Sequence, residues 1–540
     1  MDRIDGWEGA SAGSLLDEQL IRIETPADGV RRASLPDIYA ALMAGGPVEF
    51  PGLRPHQRHA WHAFLCQVGA LACLRAGASA PNLTAADWRE LLQALAPAAA
   101  WSLVAPADQP AFMQPPALDG TDGWTRVYAP DQLDIPVTAR NHEEKAARMN
   151  PADPEAWIFA LTTVQTMDGY SGKGQYGISR MNGGLSNRAC ISVAPEGGWG
   201  PHVRRDIEEL VRRRGWFLEQ DEYGYQDGGH ALLWLLPWDG LTSLRANDLD
   251  PYYVEVCRRL RLERTPEGVL QGWRTSSKVP RVSFPAALNG ITLDPWMPIE
   301  TSDGTRKAIT IDARGFAYER LSAILSGKSP KGNFEPAPLA TIASDEPKDV
   351  GYVLVCRTLV RGQGKTEGFF ERTIPIPFSR RKFFEPRGGE AMATTCRQRI
   401  EDAKNLKKAL YVALMTLFQE GSDSASLDHA SSRRKAEPFL DAMESRIDES
   451  FFDSVFEEVV VEDNDQRLRV RRAWIEDLRM EASQILEQAA RTTPTTIVRR
   501  YQAVARSRQA FDRSFRRSFP EHYTVPGLDQ TTEQEPADAN

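Results

Sequence analysis

Cysteine is scarce in this sequence. Its 540 residues include six, at positions 66, 73, 190, 257, 356 and 396, and none forms a CxxC pair. That excludes a disulfide framework and a zinc ribbon, and reads as reduced, buried thiols. Long apolar runs are missing as well. The longest clean stretch, Ala231-Leu-Leu-Trp-Leu-Leu-Pro-Trp238, falls far short of the ~20 residues that a membrane-spanning helix needs. The first residues, Met1-Asp-Arg-Ile-Asp-Gly-Trp-Glu8, are charged and hold no apolar secretion-signal core, so the expectation is a cytoplasmic protein. Nor is positive charge in excess: 65 basic residues against 74 acidic ones give a net charge of −9. A free-standing nucleic-acid binder is usually basic, so any such role must rest on local patches or on partners that supply the field. Hydrolase signatures are also absent: there is no HExxH, HxxEH or GxSxG, and no histidine–asparagine–histidine nuclease motif.

What remains is ordinary globular composition, 41% hydrophobic and 26% charged, over a length that allows about three domains. Leu20 to Glu24 alternates like a half-buried strand, and Ser34-Leu-Pro-Asp opens a capped helix. Helices are predicted from Pro55 to about Arg75, from Asn82 to about Leu95, from Pro154 to about Met167 and over 201–215, with a strand at Arg188–Val193. Residues 96–150 read as irregular, and mixed strands and loops run to about 385. After residue 388 prolines become rare, and four long helical patterns follow, near 400–418, 434–461, 466–490 and 494–518. The fold class is therefore α+β: a large mixed N-terminal domain over 1–387, a C-terminal four-helix bundle over 388–524, and a disordered tail over 525–540.

Four constellations could carry chemistry. His56, His59, His62 and Cys66 read HxxHxxHxxxC, and on a helix positions 59, 62 and 66 share a stripe that could converge on zinc. The competing reading is a helix start whose polar residues pack on a neighbouring loop. Gly362-Gln-Gly-Lys-Thr366 holds the GKT of a P-loop, but the loop's first glycine would fall at residue 359, which is Leu. The β-branched, proline-broken Phe369–Pro377 cannot be the helix a P-loop requires, so the segment reads as strand, polar hairpin tip, strand. Gly169-Tyr-Ser-Gly-Lys-Gly-Gln-Tyr-Gly177 carries four glycines in nine residues, which suits close backbone approach to a ligand or simply an irregular turn. Basic residues cluster in Ser379–Arg387, with Arg380, Arg381 and Lys382, and in the last helix, with Arg499, Arg500, Arg506, Arg508, Arg513, Arg516 and Arg517 against Asp512. They read as a solvated face or as a surface that tracks phosphates.

Several segments together resemble the CasA family, the large subunits of the type I-E CRISPR surveillance complex, Cascade. The resemblance spans about residues 15–520. It rests on Leu15-Leu-Asp-Glu-Gln-Leu-Ile21, Leu53-Arg-Pro-His-Gln-Arg-His-Ala-Trp-His62, Ala111-Phe-Met-Gln114, Val137-Thr-Ala-Arg-Asn-His-Glu-Glu-Lys145, the glycine loop with Gly183-Gly184, and Asn289-Gly-Ile-Thr-Leu-Asp-Pro-Trp296. None is a catalytic signature. The resemblance implies a non-enzymatic subunit without cofactor, metal or membrane contact. Such a subunit recognises a short motif (the PAM) in double-stranded DNA through the minor groove, wedges the duplex open for guide-RNA pairing and helps recruit an effector helicase–nuclease. The implied partners are the backbone, small and guide-end subunits of Cascade, the CRISPR RNA and the target duplex.

Carried over by position, Gly172, Lys173 and Gly174 match the family's PAM-reading glycine loop, and Lys278 is nearest to its groove lysine, several residues out of register. Gln363 matches the glutamine wedge, flanked by Arg361 and Lys365 as phosphate holders. Asn141 and His142 match a loop near the guide's 5′ end. Arg380, Arg381, Lys382, Arg499, Arg506 and Arg513 are candidates for DNA-backbone contact. The alternatives from other classes are a P-loop-like NTPase and a zinc-dependent nuclease built on His59 and His62.

Overall fold

The structure is a computed structural model and describes residues 12–78, 83–134, 153–168, 173–176, 187–329, 332–343, 345–347, 350–362, 365–376, 381, 384, 389–422, 425–493 and 497–522. The chain forms two compact units. One comprises Met1–Phe316 and Gly327–Arg387, the other Ala317–Ser326 and Gly388–Asn540. The helical unit thus also takes in residues 317–326, which the linear division at 388 assigns to the mixed domain.

The mixed unit begins with the antiparallel pair β1 (Ile21–Thr25) and β2 (Gly29–Ala33). Helix α1 (Leu35–Met43) starts at a capping box: Ser34 accepts from the Asp37 N–H, and Asp37 accepts from the Ser34 N–H. α2 (Arg58–Ala76) is the centre of this unit, with every residue from His59 to Cys73 buried. A helix that is apolar or small on all faces can lie only inside a core. α3 (Ala85–Leu95) repeats the capping box with Thr84 and Asp87, and α4 (Pro154–Met167) starts on Asp153. α5 (Trp199–Arg212) packs on α2 at Gly69, where an added methyl group would lie 2.5 Å from Ile207 Cδ1. The short α6 (Arg214–Leu218) follows.

Of the sheets in this unit, two that are three-stranded and antiparallel position the candidate site. β3 (Thr125–Val127), β5 (Arg259–Arg264) and β6 (Leu270–Thr275) form one, with β6 in the middle. β4 (Cys190–Pro195), β7 (Tyr352–Gly362) and β8 (Lys365–Ile376) form the other, with β7 in the middle. Along β7 the residues Tyr352, Leu354, Cys356, Thr358 and Val360 are all buried, and Val355 and Leu359 on the opposite face are buried too, so the strand is covered on much of both faces.

In the helical unit, α7 (Tyr318–Ser326) packs on α8 (Gly389–Phe418), which also contacts α9 (Ala430–Val459), α10 (Asn464–Thr492) and α11 (Ile497–Ser518). The predicted stripe Ala403, Leu406, Ala409, Leu410, Ala413, Leu414, Leu417 is entirely buried. α9 runs through Pro438 instead of starting near it, and its first turn is capped by His429. One cation sits inside: Arg399 has no solvent exposure, donates Nε to Ser454 Oγ at 2.7 Å, lies 2.6 Å from Glu458 and stacks 5.1 Å over Trp474. No helix among the described residues is long and apolar enough to cross a membrane.

Candidate nucleic-acid interface

The described part of the glycine loop, 173–176, is held at two points. The Ser277 N–H donates to Gly174 O at 2.9 Å, and Arg258 Nη1 donates to Tyr176 O at 3.2 Å. Arg258 is itself fixed by Asp168 at 2.9 Å and by the Gln165 amide oxygen, which accepts its backbone N–H. Gly174 has φ +83°, and a methyl group there would lie 2.8 Å from Ser276 Cβ, so only glycine fits. The next residue after Ser277 is Lys278, whose N–H donates to Gly240 O at 2.7 Å. Lys173 and Lys278, about a hundred residues apart in sequence, are thereby brought to one surface, and both are exposed. Gly172 lies outside the described residues.

The GKT segment is a β-hairpin, not a phosphate loop. β7 and β8 pair from Tyr352↔Ile376 out to Gly362↔Lys365, with a register shift at Val360/Arg361 that bends the outer end. Arg361 and Lys365 are the strand residues that flank the tip. Gln363 lies outside the described residues. The base is anchored: Glu371 of β8 accepts from Arg357 Nε at 2.7 Å and from Arg58 Nη1 at 2.6 Å. Gly315 lets the Phe370 ring approach, since a methyl group there would lie 2.5 Å from it.

The other basic candidates divide. Arg381 is corrected: it is buried, donates to the carbonyls of Ala343 and Glu346 at 2.8 Å each and to that of Pro347, and stacks 5.5 Å over Tyr352. A guanidinium committed to three carbonyls has no free face for phosphate. Arg499 pairs with Glu420 at 2.9 Å, and Arg506 donates to Gly421 O at 2.5 Å, so both clamp the turn after α8. Arg513 is exposed, as are Arg500, Arg508 and Arg517. Asn141, His142, Arg380 and Lys382 lie outside the described residues.

The histidine run is split by the fold. His56 turns to Asp134 at 2.9 Å. His59 packs edge-on against Trp296, its Nε2 without a hydrogen-bond partner among the described residues, and burial holds its pKa far down. His62 and Cys66 face α5 instead. His62 Nε2 lies 2.8 Å from Asp206 Oδ2 and 3.5 Å from Cys66 Sγ, and His202 Nε2 lies 3.4 Å from the same Asp206 oxygen. Burial, with His202 adding, pushes His62 down to about 3, so its ring is neutral. Burial alone would raise the Asp206 carboxyl, but His202 and His62 together hold it well below the usual range.

Neither a scan against known protein families nor a search of curated proteins finds a match. Solved structures do match. Thermus thermophilus CasA (Cse1) aligns with a TM-score of 0.65 at 15% identity, covering 94% of this chain and 99% of that one. Acidimicrobium ferrooxidans Cse1, a CRISPR-associated protein, gives 0.64 at 14%, covering 95% and 99%. A chain of a CRISPR RNA-guided surveillance complex gives 0.61 at 15%, covering 93% and 100%. The chain has the CasA fold.

Within this CasA fold, sequence reasoning missed further cations near the loop. Arg126 and Arg274 are exposed on the β3–β6 pair, where Arg126 stacks 4.6 Å over Trp273. Arg259 of β5 stacks 5.0 Å over Trp124, and its Cδ would lie 3.1 Å from a methyl group on Gly240, the residue that accepts from Lys278. The signal was faint: Arg259-Leu-Arg-Leu262 alternates basic and apolar residues before Glu263 breaks the pattern. Periodicity alone misreads Arg261, which is buried and donates to the carbonyls of Ala105, Pro106, Gln109 and Gln114.

Proposed function

We propose that this chain is the non-catalytic large subunit of an RNA-guided DNA surveillance complex of the type I-E Cascade kind. In this reading it recognises the PAM in duplex DNA through the minor groove, opens the duplex for guide-RNA pairing and helps to recruit a helicase–nuclease. The observation that carries the reading is the juxtaposition of Lys173–Gly174 with Ser277–Lys278 in a chain that shares the CasA fold over nearly its whole length. Minor-groove readout is chemically sparse, so it favours close backbone approach and a few cations over a rich side-chain code. A rigid glycine with exposed lysines beside it has those properties. Stacked arginines such as Arg126 and Arg259 suit contact with the flanking phosphates.

The hairpin supplies the second step. Gln363, at the tip of a long paired β7–β8 arm, enters at the first base pair and replaces lost pairing with side-chain hydrogen bonds, while Arg361 and Lys365 hold phosphates. Unstacking a step costs on the order of a few kcal/mol, and guide pairing afterwards is nearly balanced in energy. A wedge therefore acts on the nucleation barrier more than on final affinity. Asn141 and His142 contact the complex near the guide's 5′ end. The net charge of −9 is compatible with this role, because partner subunits supply most of the nucleic-acid channel.

The test is binding by the RNA-loaded complex with and without this chain, on matched duplex and on the same DNA pre-melted across the target. The chain is expected to matter for the duplex and far less for the bubble. Gln363→Ala is expected to slow duplex opening about tenfold, equivalent to about 1.4 kcal/mol, with pre-melted DNA bound as before. Equal loss on both substrates defeats the wedge assignment, and indifference to the whole chain defeats the reading.

A further inference from the structure

Inside the mixed unit, two helices each present a pair of metal-ligating residues one turn apart. His62 and Cys66 lie on α2, and His202 and Asp206 on α5. Residues four apart share a helix face, so each pair points the same way. The two pairs converge: His62 Nε2, Cys66 Sγ and an Asp206 oxygen all lie within 4.8 Å of one another. His202 lies beside them, its ring centroid 3.9 Å from that of His62 and its Nε2 3.4 Å from Asp206 Oδ2. All four residues are buried.

We infer that the crossing of α2 and α5 is a structural zinc site, ligated by His62 Nε2, His202 Nε2, Cys66 Sγ and the Asp206 carboxylate. Two of the donor edges already have the spacing of a filled site. Zinc bonds of about 2.0–2.3 Å in a tetrahedron separate the donors by roughly 3.3–3.7 Å. The Cys66–His62 edge is 3.5 Å and the His202–Asp206 edge 3.4 Å. The His62–Asp206 edge, at 2.8 Å, must open, and the His202 ring must turn toward the ion, since the donors that already lie within 4.8 Å of one another are those of His62, Cys66 and Asp206.

The charges also close. One thiolate, one carboxylate, two neutral imidazoles and a divalent cation sum to zero, which a fully buried site requires. Both imidazoles are already held neutral by burial. Without metal, burial and the Asp206 charge keep the Cys66 thiol protonated. On binding, the Cys66 S–H bond breaks, a sulfur–zinc bond forms and the proton leaves to solvent, while the His62 ring proton, which Nε2 donates to Asp206 before metal binds, moves to Nδ1 so that Nε2 can bind the ion. Trp296 Nε1 donates to Asp206 Oδ2 at 3.0 Å and stays as the partner that orients the carboxylate. The Ser192 Oγ contact to His202 Nε2, 2.9 Å, is given up to the metal. His202 lines a cleft of about 550 Å³ with Glu49, Arg58, Trp199, Arg357 and Glu371, which gives the ion a way in. The site holds no open position for a water nucleophile, so its role is to lock α5 onto α2.

The experiment uses the full chain, exposed to zinc, desalted and analysed for metal by mass spectrometry. About one zinc per chain is expected, with cobalt(II) in its place giving a thiolate-to-cobalt charge-transfer band. Cys66→Ser is expected to abolish that band and weaken metal binding by at least about 100-fold. His59→Gln, which alters a neighbouring non-ligand, is expected to keep full occupancy. Wild-type chain that retains less than a tenth of an equivalent, or whose cobalt form lacks the thiolate band, overturns the proposal even if Cys66→Ser fails to fold. A band that survives Cys66→Ser, or a site emptied by His59→Gln, overturns it too.

Discussion

The two units bury charge in different ways. In the helical unit, Arg399 meets Ser454 and Glu458 from the next long helix, and Asp402, one turn along its own helix, is paired at 2.6 Å by Arg471 of the following one. These partners sit on faces that helical periodicity already marks as inward. In the mixed unit, Arg205 holds Glu346 at 2.8 Å, Arg258 holds Asp168 at 2.9 Å, and Asp206 gathers His62, His202 and Trp296 from three places in the chain. Periodicity predicts only the His202–Asp206 pair, one turn apart on α5; the other pairings join segments whose approach is set by packing. The lesson is that a bundle's polar core is read along one helix and its neighbour, whereas a mixed core must be seen assembled.

The largest expected effect tests the bundle side of that contrast. Arg399→Ala leaves Glu458 without its cation in a dry interior and should cost about 3–5 kcal/mol, read by urea unfolding of the helical signal. A loss below about 1 kcal/mol would mean that the buried pair is dispensable and the contrast overstated. Next comes Gly69→Ala in α2. In an exposed helix this change stabilises by about 0.5–1 kcal/mol. Here the new methyl meets Ile207 Cδ1 at 2.5 Å, so a net loss of about 1–3 kcal/mol is expected in thermal unfolding. A gain would show that α2 and α5 separate easily.

Two smaller effects sharpen the functional side. Lys173→Ala should remove about 1 kcal/mol of discrimination between PAM and non-PAM duplexes, measured by competition binding of the assembled complex. Unchanged discrimination moves the reading loop elsewhere. Arg513→Ala, on the exposed face of α11, should leave stability within about 0.5 kcal/mol and reduce the salt slope of DNA binding by about one charge. If discrimination changes instead, the bundle reads sequence and the division of labour between the units is wrong. Arg499→Ala should cost under about 1 kcal/mol of stability, because its exposed pair with Glu420 is screened by solvent.

Much of the helical unit was legible. The predicted 466–490 and 494–518 correspond to Asn464–Thr492 and Ile497–Ser518, and 434–461 to Ala430–Val459. The exception is instructive: α8 begins at Gly389, well before the apolar stripe that announces it at 400, because its first turns carry few large apolar residues. In the mixed unit, the cap at Ser34 and the strands of the hairpin were visible as local chemistry. Arg381 was not, because a basic run looks the same whether its members face solvent or carbonyl oxygens.

Local chemistry, then, was determined by the sequence alone: that Ser34 caps a helix, that 352–376 is a hairpin and not a phosphate loop, and that loop 169–177 can bend where other residues cannot. These depend on neighbours within a few positions, so they are written in order along the chain. Tertiary structure decided which cations are exposed, that Lys173 and Lys278 share a surface, and that His62 and Cys66 look at Asp206 and not at His59. Those facts depend on contacts that span from some tens of residues to well over a hundred, where burial removes water and a single neighbour fixes whether a charge is free, paired or silent.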